Sequence, residues 1–178
     1  GVICEPLVSV GDKVRLGQII GDSQKGLCCP VHSSVSGTVK AVEPRWNPNG
    51  NKVMSVVIEN DFEDRHFEDC IPCKKNFDKL SREEIIDGAR RFGIVGMGGA
   101  GFPLFAKLRT AVESRCDTVI INGAECEPFI TCDHRAMIEY PRYIAGGIKL
   151  IMQCLGVEYA VLAIEDNKPD AIDSMKIT

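Results

Sequence analysis

The sequence lacks the features that mark several classes of protein. None of its apolar stretches approaches the roughly 20 residues that a membrane-spanning helix needs, and no basic segment followed by an apolar one is visible, so we expect neither a membrane span nor a secretory signal. Acidic residues outnumber basic ones, 25 to 21, and the net charge is -4. Because a surface that binds nucleic acid has to face phosphates, it is usually basic. We therefore expect no nucleic-acid partner.

Metal-binding patterns are also missing. The 9 cysteines contain no Cys-x2-Cys-x2-Cys run and the 3 histidines are scattered, so these residues predict no metal site. Cys70 and Cys73 form a Cys-x-x-Cys pair without a second pair at zinc spacing, and we expect inert thiols there. Cys28 and Cys29 are adjacent, so a disulfide between them would be strained and free thiols are expected. The irregular cysteine spacing favours reduced thiols and a cytoplasmic location.

The first third of the chain has the pattern of an all-β domain. Turn dipeptides such as Gly11-Asp12 and Ser36-Gly37 separate short apolar stretches. These stretches cover residues 7–10, 14–20, 35–42 and 53–58. Apolar residues occupy both alternating sets of the last stretch, which predicts a strand that is buried on both faces. Short strands separated by turns predict a small barrel or sandwich over residues 1–62.

A helical pattern begins after a charged segment. Residues 63–80 predict a linker, and Ser81 with Glu84 fits a capping box, in which each side chain satisfies the backbone N–H of the other residue. The predicted apolar face of the first helix consists of Ile85, Ile86, Ala89 and Phe92. Pro103 can open a second helix, whose apolar positions include Leu104, Phe105 and Leu108.

The rest of the chain alternates strands and helices. Residues 118–121 and 159–164 predict two buried strands. Helices are predicted at 136–155, broken near Pro141 or at Gly146-Gly147, and at 169–175. Strand, helix, strand, helix is the order of a parallel, Rossmann-like α/β sheet. The fold class expected for the whole chain is α+β, with residues 81–178 forming the N-terminal part of an α/β domain.

A glycine-rich turn lies between the first two predicted helices. Residues 93–103 read Gly-Ile-Val-Gly-Met-Gly-Gly-Ala-Gly-Phe-Pro. Glycines let backbone N–H groups converge on a phosphate, and the start of a helix adds its positive end. The glycines that give the backbone of this turn its conformational freedom are Gly96, Gly98, Gly99 and Gly101. Lys107 lies about one turn into the helix and can reach back to a phosphate or a flavin carbonyl. Tight packing of the turn explains the same glycines equally well.

A polar loop follows the strand predicted at 118–121. Residues 122–128 read Asn-Gly-Ala-Glu-Cys-Glu-Pro, and the carboxyl ends of strands are where open α/β sheets bind ligands. Asn122 can hydrogen-bond a flavin or a ribose. Glu125 and Glu127 can accept hydrogen bonds from ribose hydroxyls or flavin N–H groups. The alternative is a polar loop with a solvated acidic pair.

Together these two segments resemble a known family. Gly-Met-Gly-Gly-Ala-Gly-Phe-Pro at 96–103 with Lys107, and Ile-Asn-Gly-Ala-Glu-Cys-Glu-Pro-Phe-Ile-Thr-Cys-Asp-His-Arg at 121–135, resemble the RnfC family of Rnf electron-transport complexes, a relative of the flavin-binding component of respiratory complex I. The first half, with Val-Gly-Asp-Lys-Val-Arg at 10–15, is similar to that family's barrel-sandwich hybrid domain, which resembles lipoyl and biotinyl carriers. Lys25 lacks the context of a modified carrier lysine, so no such modification is expected.

The resemblance implies a cofactor, a reaction and site residues. It implies oxidation of NADH by bound FMN, with electrons passed to 4Fe–4S clusters in a C-terminal part outside these residues. Contacts with FMN are implied for Gly96, Gly98, Lys107, Asn122 and Glu125. Contacts with the nicotinamide nucleotide are implied for Gly99, Phe102 and Glu127, with Phe102 against the adenine. The implied partners are other subunits of an electron-transfer complex, which would hold the chain at the cytoplasmic face of a membrane.

Other readings and departures from the family pattern remain. The alternatives are a soluble relative that supplies electrons to proline reductase and a non-catalytic scaffold or docking module. Met97 replaces an arginine of the complex I pattern and Ala124 an aspartate, as in the Rnf-type variant. Thr110 stands where a second aromatic would complete the adenine clamp, which argues against tight NADH binding. Because the later flavin loops are missing, we expect a piece of a longer protein that is inactive by itself.

Overall fold

The computed structural model describes residues 2–68, 77–97 and 100–176. The chain forms two compact units, one comprising Gly1–Lys75 and Asp87–Lys107, the other Asn76–Ile86 and Leu108–Thr178. Both sheets and helices are present, so the α+β class predicted from the sequence is confirmed. Among the described residues, no helix is both long enough and apolar enough to cross a membrane.

Within its described residues, the first unit contains two three-stranded antiparallel sheets. One sheet has the order β1-β3-β4, formed by β1 (Glu5–Pro6), β3 (Ile19–Asp22) and β4 (Val31–His32). The other has the order β2-β5-β6, formed by β2 (Lys13–Val14), β5 (Gly37–Trp46) and β6 (Lys52–Asn60). Buried Val14, Ile20 and Val39 form the core. Since they come from β2, β3 and β5, both sheets contribute to it.

Two of the strand predictions for this unit are wrong. Residues 7–10 form no strand; instead the Leu7 N–H donates to the Ile20 carbonyl at 2.9 Å, beside β3. The strand predicted at 14–20 is divided into β2 and β3. The chain turns between them at Gly17, whose φ is 81°, a value that favours glycine. An apolar run alone does not reveal such a turn.

The β5–β6 hairpin extends beyond the core of the unit. It runs from the pair Gly37–Asn60 to the pair Trp46–Lys52. At its base, a Cβ on Gly37 would collide with the carbonyl oxygen of Glu59, so glycine is required there. The outer ends of both strands are exposed, and Trp46 is 71% exposed. The two-sided burial predicted for residues 53–58 is therefore wrong for the first two of them.

The first helix, α1 (Arg82–Arg91), begins with the predicted capping box. The Ser81 Oγ accepts the backbone N–H of Glu84 at 3.2 Å, and the Glu84 carboxylate accepts the N–H of Ser81 at 2.9 Å. Of the predicted apolar face, three residues are buried: Ile85, Ile86 and Ala89. Phe92 is half exposed, because the helix has already ended at Arg91.

The second unit contains a two-stranded parallel sheet within its described residues. β7 (Thr118–Asn122) pairs with β8 (Tyr159–Ala163). Before β7 comes α2 (Leu104–Ser114), whose residues 104–107 belong to the first unit. Between the strands lie α3 (Cys132–Glu139) and α4 (Pro141–Leu155), and after β8 comes α5 (Pro169–Lys176). The predicted break falls at Pro141, since proline is tolerated in the first turn of a helix. Gly146 and Gly147 lie inside α4.

The burial of β7 and β8 differs from the prediction. Exposed and half-buried residues alternate along both strands. Ile120 is 72% exposed and Val161 51%. One face of this sheet is therefore open to solvent, and the prediction of two buried strands is wrong for that face. A continuous apolar run is typical of strands covered on both faces, which is why the sequence suggested full burial.

Candidate functional site

The glycine-rich turn is a loop whose two ends are held together by backbone pairing. The Gly96 N–H donates to the Phe102 carbonyl at 2.9 Å, and the Leu104 N–H donates to the Ile94 carbonyl at 2.9 Å. The residue after this loop begins α2. The loop thus leads directly into a helix N-terminus, as the sequence predicted. The predicted contacts at Gly98 and Gly99 lie outside the described residues.

Lys107 lies against the glycine-rich turn. Its Nζ is 3.1 Å from the position that a Cβ on Gly96 would occupy. A side chain at position 96 would therefore compete with the ammonium group. Gly101 has a φ of 59°, which favours glycine, and Phe102 is partly exposed. A lysine ammonium group beside glycine backbone, close to a helix N-terminus, can bind a phosphate group.

The last residue of β7, Asn122, and the first residue of the polar loop, Gly123, differ in exposure. Asn122 is exposed, and its Oδ1 accepts the N–H of Ala124 at 3.1 Å. Gly123 is buried, and its N–H donates to the Ala163 carbonyl at 2.8 Å. A Cβ on Gly123 would lie 3.0 Å from that oxygen and 3.3 Å from the Met137 sulfur. Glycine at this position therefore lets β7, β8 and α3 approach closely, while Asn122 stays accessible.

Glu125 points into the N-terminus of α3. One of its carboxylate oxygens accepts the N–H of Asp133 and the thiol of Cys132, both at 3.0 Å. The other accepts the N–H of His134 at 3.3 Å. A helix N-terminus carries partial positive charge and favours a carboxylate. With its side chain only 4% exposed, Glu125 is not part of a solvated acidic pair, whereas Glu127 is exposed.

Lys168 and Glu165 complete the surroundings of Glu125. The Lys168 Nζ lies 2.6 Å from the Glu165 carboxylate and 3.7 Å from that of Glu125. Glu165 also accepts the Glu125 N–H at 3.3 Å. Two carboxylates thus share one ammonium group whose side chain is 12% exposed. We name Glu125, Glu165 and Lys168 the Glu125 cluster; it connects the loop after β7 to the loop after β8.

The Glu125 cluster is fully charged at neutral pH. Hydrogen bonds from the Asp133 N–H and the Cys132 thiol, with a smaller effect of Lys168, lower the pKa of Glu125 to about 2. Close pairing of Glu165 with Lys168 lowers the pKa of the acid and raises the pKa of the base. The hydrogen bond that the Cys132 thiol donates to Glu125 raises the pKa of this thiol. Cys132 is therefore not an activated nucleophile.

Lys168 and Glu165 were not among the predicted site residues, although the sequence contains a signal for them. Residues 164–169 read Ile-Glu-Asp-Asn-Lys-Pro and follow β8 as residues 123–128 follow β7. The carboxyl ends of parallel strands lie at the same edge of a sheet. Polar residues after both strands therefore indicate a common cluster. Cys70 and Cys73, predicted to be inert thiols, lie outside the described residues.

Two protein families match successive parts of the chain. Residues 1–63 match the RnfC Barrel sandwich hybrid domain and residues 89–178 the Nuo51 FMN-binding domain. The chain is 41% identical over 99% of its length to the C subunit of the Proton-translocating ferredoxin:NAD(+) oxidoreductase complex of Clostridium ljungdahlii. It is 42% identical over 98% of its length to the C subunit of the Na(+)-translocating ferredoxin:NAD(+) oxidoreductase complex of Acetobacterium woodii.

The chain belongs to the RnfC family. The family resemblance predicted from the sequence is therefore confirmed, as is the order of a barrel-sandwich hybrid domain followed by an FMN-binding domain. The C subunit of an Ion-translocating oxidoreductase complex of Vibrio cholerae is a further RnfC-family relative, 37% identical over 96% of the chain. The chain spans 38%, 39% and 22% of the lengths of these three relatives.

Proposed function

We propose that this RnfC-family chain is the FMN-binding part of a subunit that oxidises NADH and passes electrons to iron–sulfur clusters elsewhere in its parent protein. The main support is the Lys107 ammonium group beside Gly96, within the segment that matches an FMN-binding domain. The relatives that are named as C subunits of ferredoxin:NAD(+) oxidoreductase complexes support a complex of the same kind. Its other subunits would hold the chain at the cytoplasmic face of the membrane.

In this proposal the chain binds and orients, and it performs no proton transfer. FMN, when bound, supplies a ring that accepts hydride from the nicotinamide and releases electrons to clusters. Lys107, Gly96 and Gly98 bind its phosphate end, and Asn122 hydrogen-bonds the flavin. Glu125, with its carboxylate occupied by α3, supports flavin binding by fixing the loop that carries Asn122. The residues assigned to the nicotinamide nucleotide are Gly99, Phe102 and Glu127.

The proposed architecture is a barrel-sandwich domain, a linker and part of a Rossmann-like domain. The domain boundaries are residues 1–62, 63–80 and 81–178. Parallel pairing of β7 with β8, with α3 and α4 between them, supports the Rossmann-like assignment, because a helical crossover between parallel strands is the repeating unit of such sheets.

The deciding experiment measures FMN binding by the parent protein. In the FMN-free parent, we expect Lys107→Ala to raise the Kd for FMN by about 10-fold to 100-fold, because it removes a charged hydrogen-bond donor. Lys149→Ala, which changes an exposed lysine of α4, is the matched control and should bind FMN as the unaltered protein does. Equal affinity of the Lys107→Ala and control variants would contradict the assignment.

The same preparation tests the reaction. The FMN-loaded parent should lose its visible flavin absorbance when NADH is added without oxygen. A protein that binds FMN but keeps this absorbance with excess NADH would rule out NADH oxidation. If it also assembles with its partner subunits, that result would favour the docking alternative.

A further inference from the structure

Three cysteines of the first unit lie close together. Cys4 precedes β1, whereas Cys28 and Cys29 lie between β3 and β4. The sulfur atoms of Cys4 and Cys28 are 3.2 Å apart, although 24 positions separate the residues in the chain. The Cys4 thiol also lies 3.2 Å from the Cys29 carbonyl oxygen. A thiol pair that was not visible in the sequence therefore exists at this edge of the unit.

The backbone holds these thiols in place independently of their own contact. On one side of Cys4, the Val2 N–H donates to the Leu27 carbonyl at 3.1 Å. On the other side, Glu5 of β1 pairs with Asp22 of β3. Both flanks of Cys4 are thus fixed next to the segment that carries Cys28. Little backbone movement is needed to bring the two sulfurs to bonding distance.

We propose that Cys4 and Cys28 are a reversible dithiol–disulfide pair, an oxidative modification site in the barrel-sandwich half of the chain. Cys28 is 3% exposed whereas Cys4 is partly exposed, so Cys4 reacts first. Cys29 is not the partner of Cys28, because a disulfide between adjacent residues is strained. The oxidant is a low-molecular-weight disulfide.

The exchange proceeds in two steps. The Cys4 thiolate attacks one sulfur of the small disulfide, which breaks the oxidant's S–S bond and releases one small thiol. Cys28 then attacks the Cys4 sulfur of this mixed disulfide and releases the second small thiol. One S–S bond forms in the protein for the one broken in the oxidant. The electron pair passes to the oxidant, and the protons of Cys4 and Cys28 leave on the two small thiols.

The surroundings of Cys4 make the reaction slow at neutral pH. Burial and the contact with Cys28 raise the pKa of Cys4 to about 11, and the nearby Asp22 and Cys29 act in the same direction. Since the thiolate is the attacking species, few molecules react at any moment. The pair is therefore expected to respond to sustained oxidising conditions.

The test is peptide mapping of the full chain after treatment with oxidised glutathione. Trypsin cuts after Lys13, Lys25 and Lys40, so Cys4 lies in peptide 1–13 and Cys28 in peptide 26–40. We expect a non-reducing digest to contain these two peptides joined by a disulfide, and dithiothreitol to separate them. Fragmentation of the joined peptides should place the bond on Cys28. Recovery of peptide 1–13 only as a free thiol or a glutathione adduct would overturn the proposal.

Two serine variants identify the partner of Cys4. Cys29→Ser is the matched control and should give the joined peptides in undiminished yield. Cys28→Ser should abolish them. If Cys28 cannot be replaced without unfolding, the fragmentation spectrum of the unaltered chain still shows which cysteine is bonded to Cys4. A bond located on Cys29 would contradict the proposal.

Discussion

At the scale of single residues, Glu125 lies where a strand end, a helix start and a lysine of the second unit meet. Its carboxylate accepts two backbone N–H groups and a thiol hydrogen. The same side chain lies near the ammonium group of Lys168. These contacts stabilise the ionised carboxylate in the folded chain. The charge of Glu125 therefore contributes to the stability of the fold.

This linkage predicts a specific pH dependence. The pKa of Glu125 is lowered from 4.5 to about 2 in the folded chain. A lowered pKa means that the ionised carboxylate stabilises the folded state above pH 4.5 and that this stabilisation is lost as the pH falls towards 2. We expect Glu125→Gln to lower the melting temperature at neutral pH and to show a smaller decrease between these two pH values. Thermal unfolding across this pH range measures both effects.

The matched control for this prediction is Glu127→Gln. Glu127 lies in the same loop but is exposed. Its replacement should leave the melting curve and its pH dependence close to those of the unaltered chain. Similar losses in both variants would show that the loop charge in general, and not the contacts of Glu125, controls stability.

How much of the site the sequence predicts depends on the range of the contacts. Ser81 and Glu84 form the predicted capping box because they are three residues apart and their contact is local. The ammonium group near the Glu125 carboxylate comes from Lys168, which follows another strand. The contact of Cys4 with Cys28 likewise depends on strand pairing. Neither can be derived from local spacing alone.

At the scale of elements, the end of α1 determines where the glycine-rich turn begins. The Gly93 N–H donates to the Arg90 carbonyl, and the Ile94 N–H donates to the Ala89 carbonyl at 3.0 Å. With a φ of 65° at Gly93, this is a Schellman motif. It ends the helix immediately before the residues that approach Lys107.

Replacing two glycines by alanine tests this helix end. Gly93→Ala should lower the free energy of unfolding by about 1–2 kcal/mol, because an L side chain is strained in the left-handed conformation. Its Cβ would also lie 2.9 Å from the Pro30 carbonyl oxygen. Gly88→Ala, inside the same helix and with no atom within 4 Å of the added Cβ, should raise it by about 0.5–1 kcal/mol. Urea unfolding measures the free energy of unfolding of both variants.

We expect the free energy of unfolding to change in opposite directions in the two variants. If Gly93→Ala were as stable as Gly88→Ala, the left-handed helix end would not restrain the turn.

The sequence predicted the glycine-rich turn but not this motif, because Phe92 appeared to continue the apolar face. Within the first unit, the turn at Gly17 was likewise not predicted, because it lies inside a stretch that was interpreted as one strand.

At the scale of the whole molecule, the two halves of the chain match two different families. The chain spans 38% of its Clostridium ljungdahlii relative. Both segments proposed for flavin binding lie within it, and Met97 of the glycine-rich turn is 90% exposed. The chain thus contains both proposed segments but only part of the length of this relative.

This partial coverage, together with the proposed function, predicts a difference between the chain and its parent. With added FMN and without oxygen, the chain alone should oxidise NADH no faster than free FMN does, because hydride transfer requires the nicotinamide to be held against the flavin. The parent should react faster at equal FMN concentration. The decrease in NADH absorbance gives both rates. Equal rates for chain and parent would show that residues 1–178 suffice for the reaction.

The open face of the β7–β8 sheet also affects how the chain behaves in solution. Ile120, Tyr159 and Val161 present apolar surface on neighbouring strands. Attraction between such surfaces strengthens with kosmotropic salts such as sulfate, and a net charge of -4 offers only modest repulsion between copies. Purified preparations of the chain should therefore have a solubility limit that falls steeply as ammonium sulfate is added.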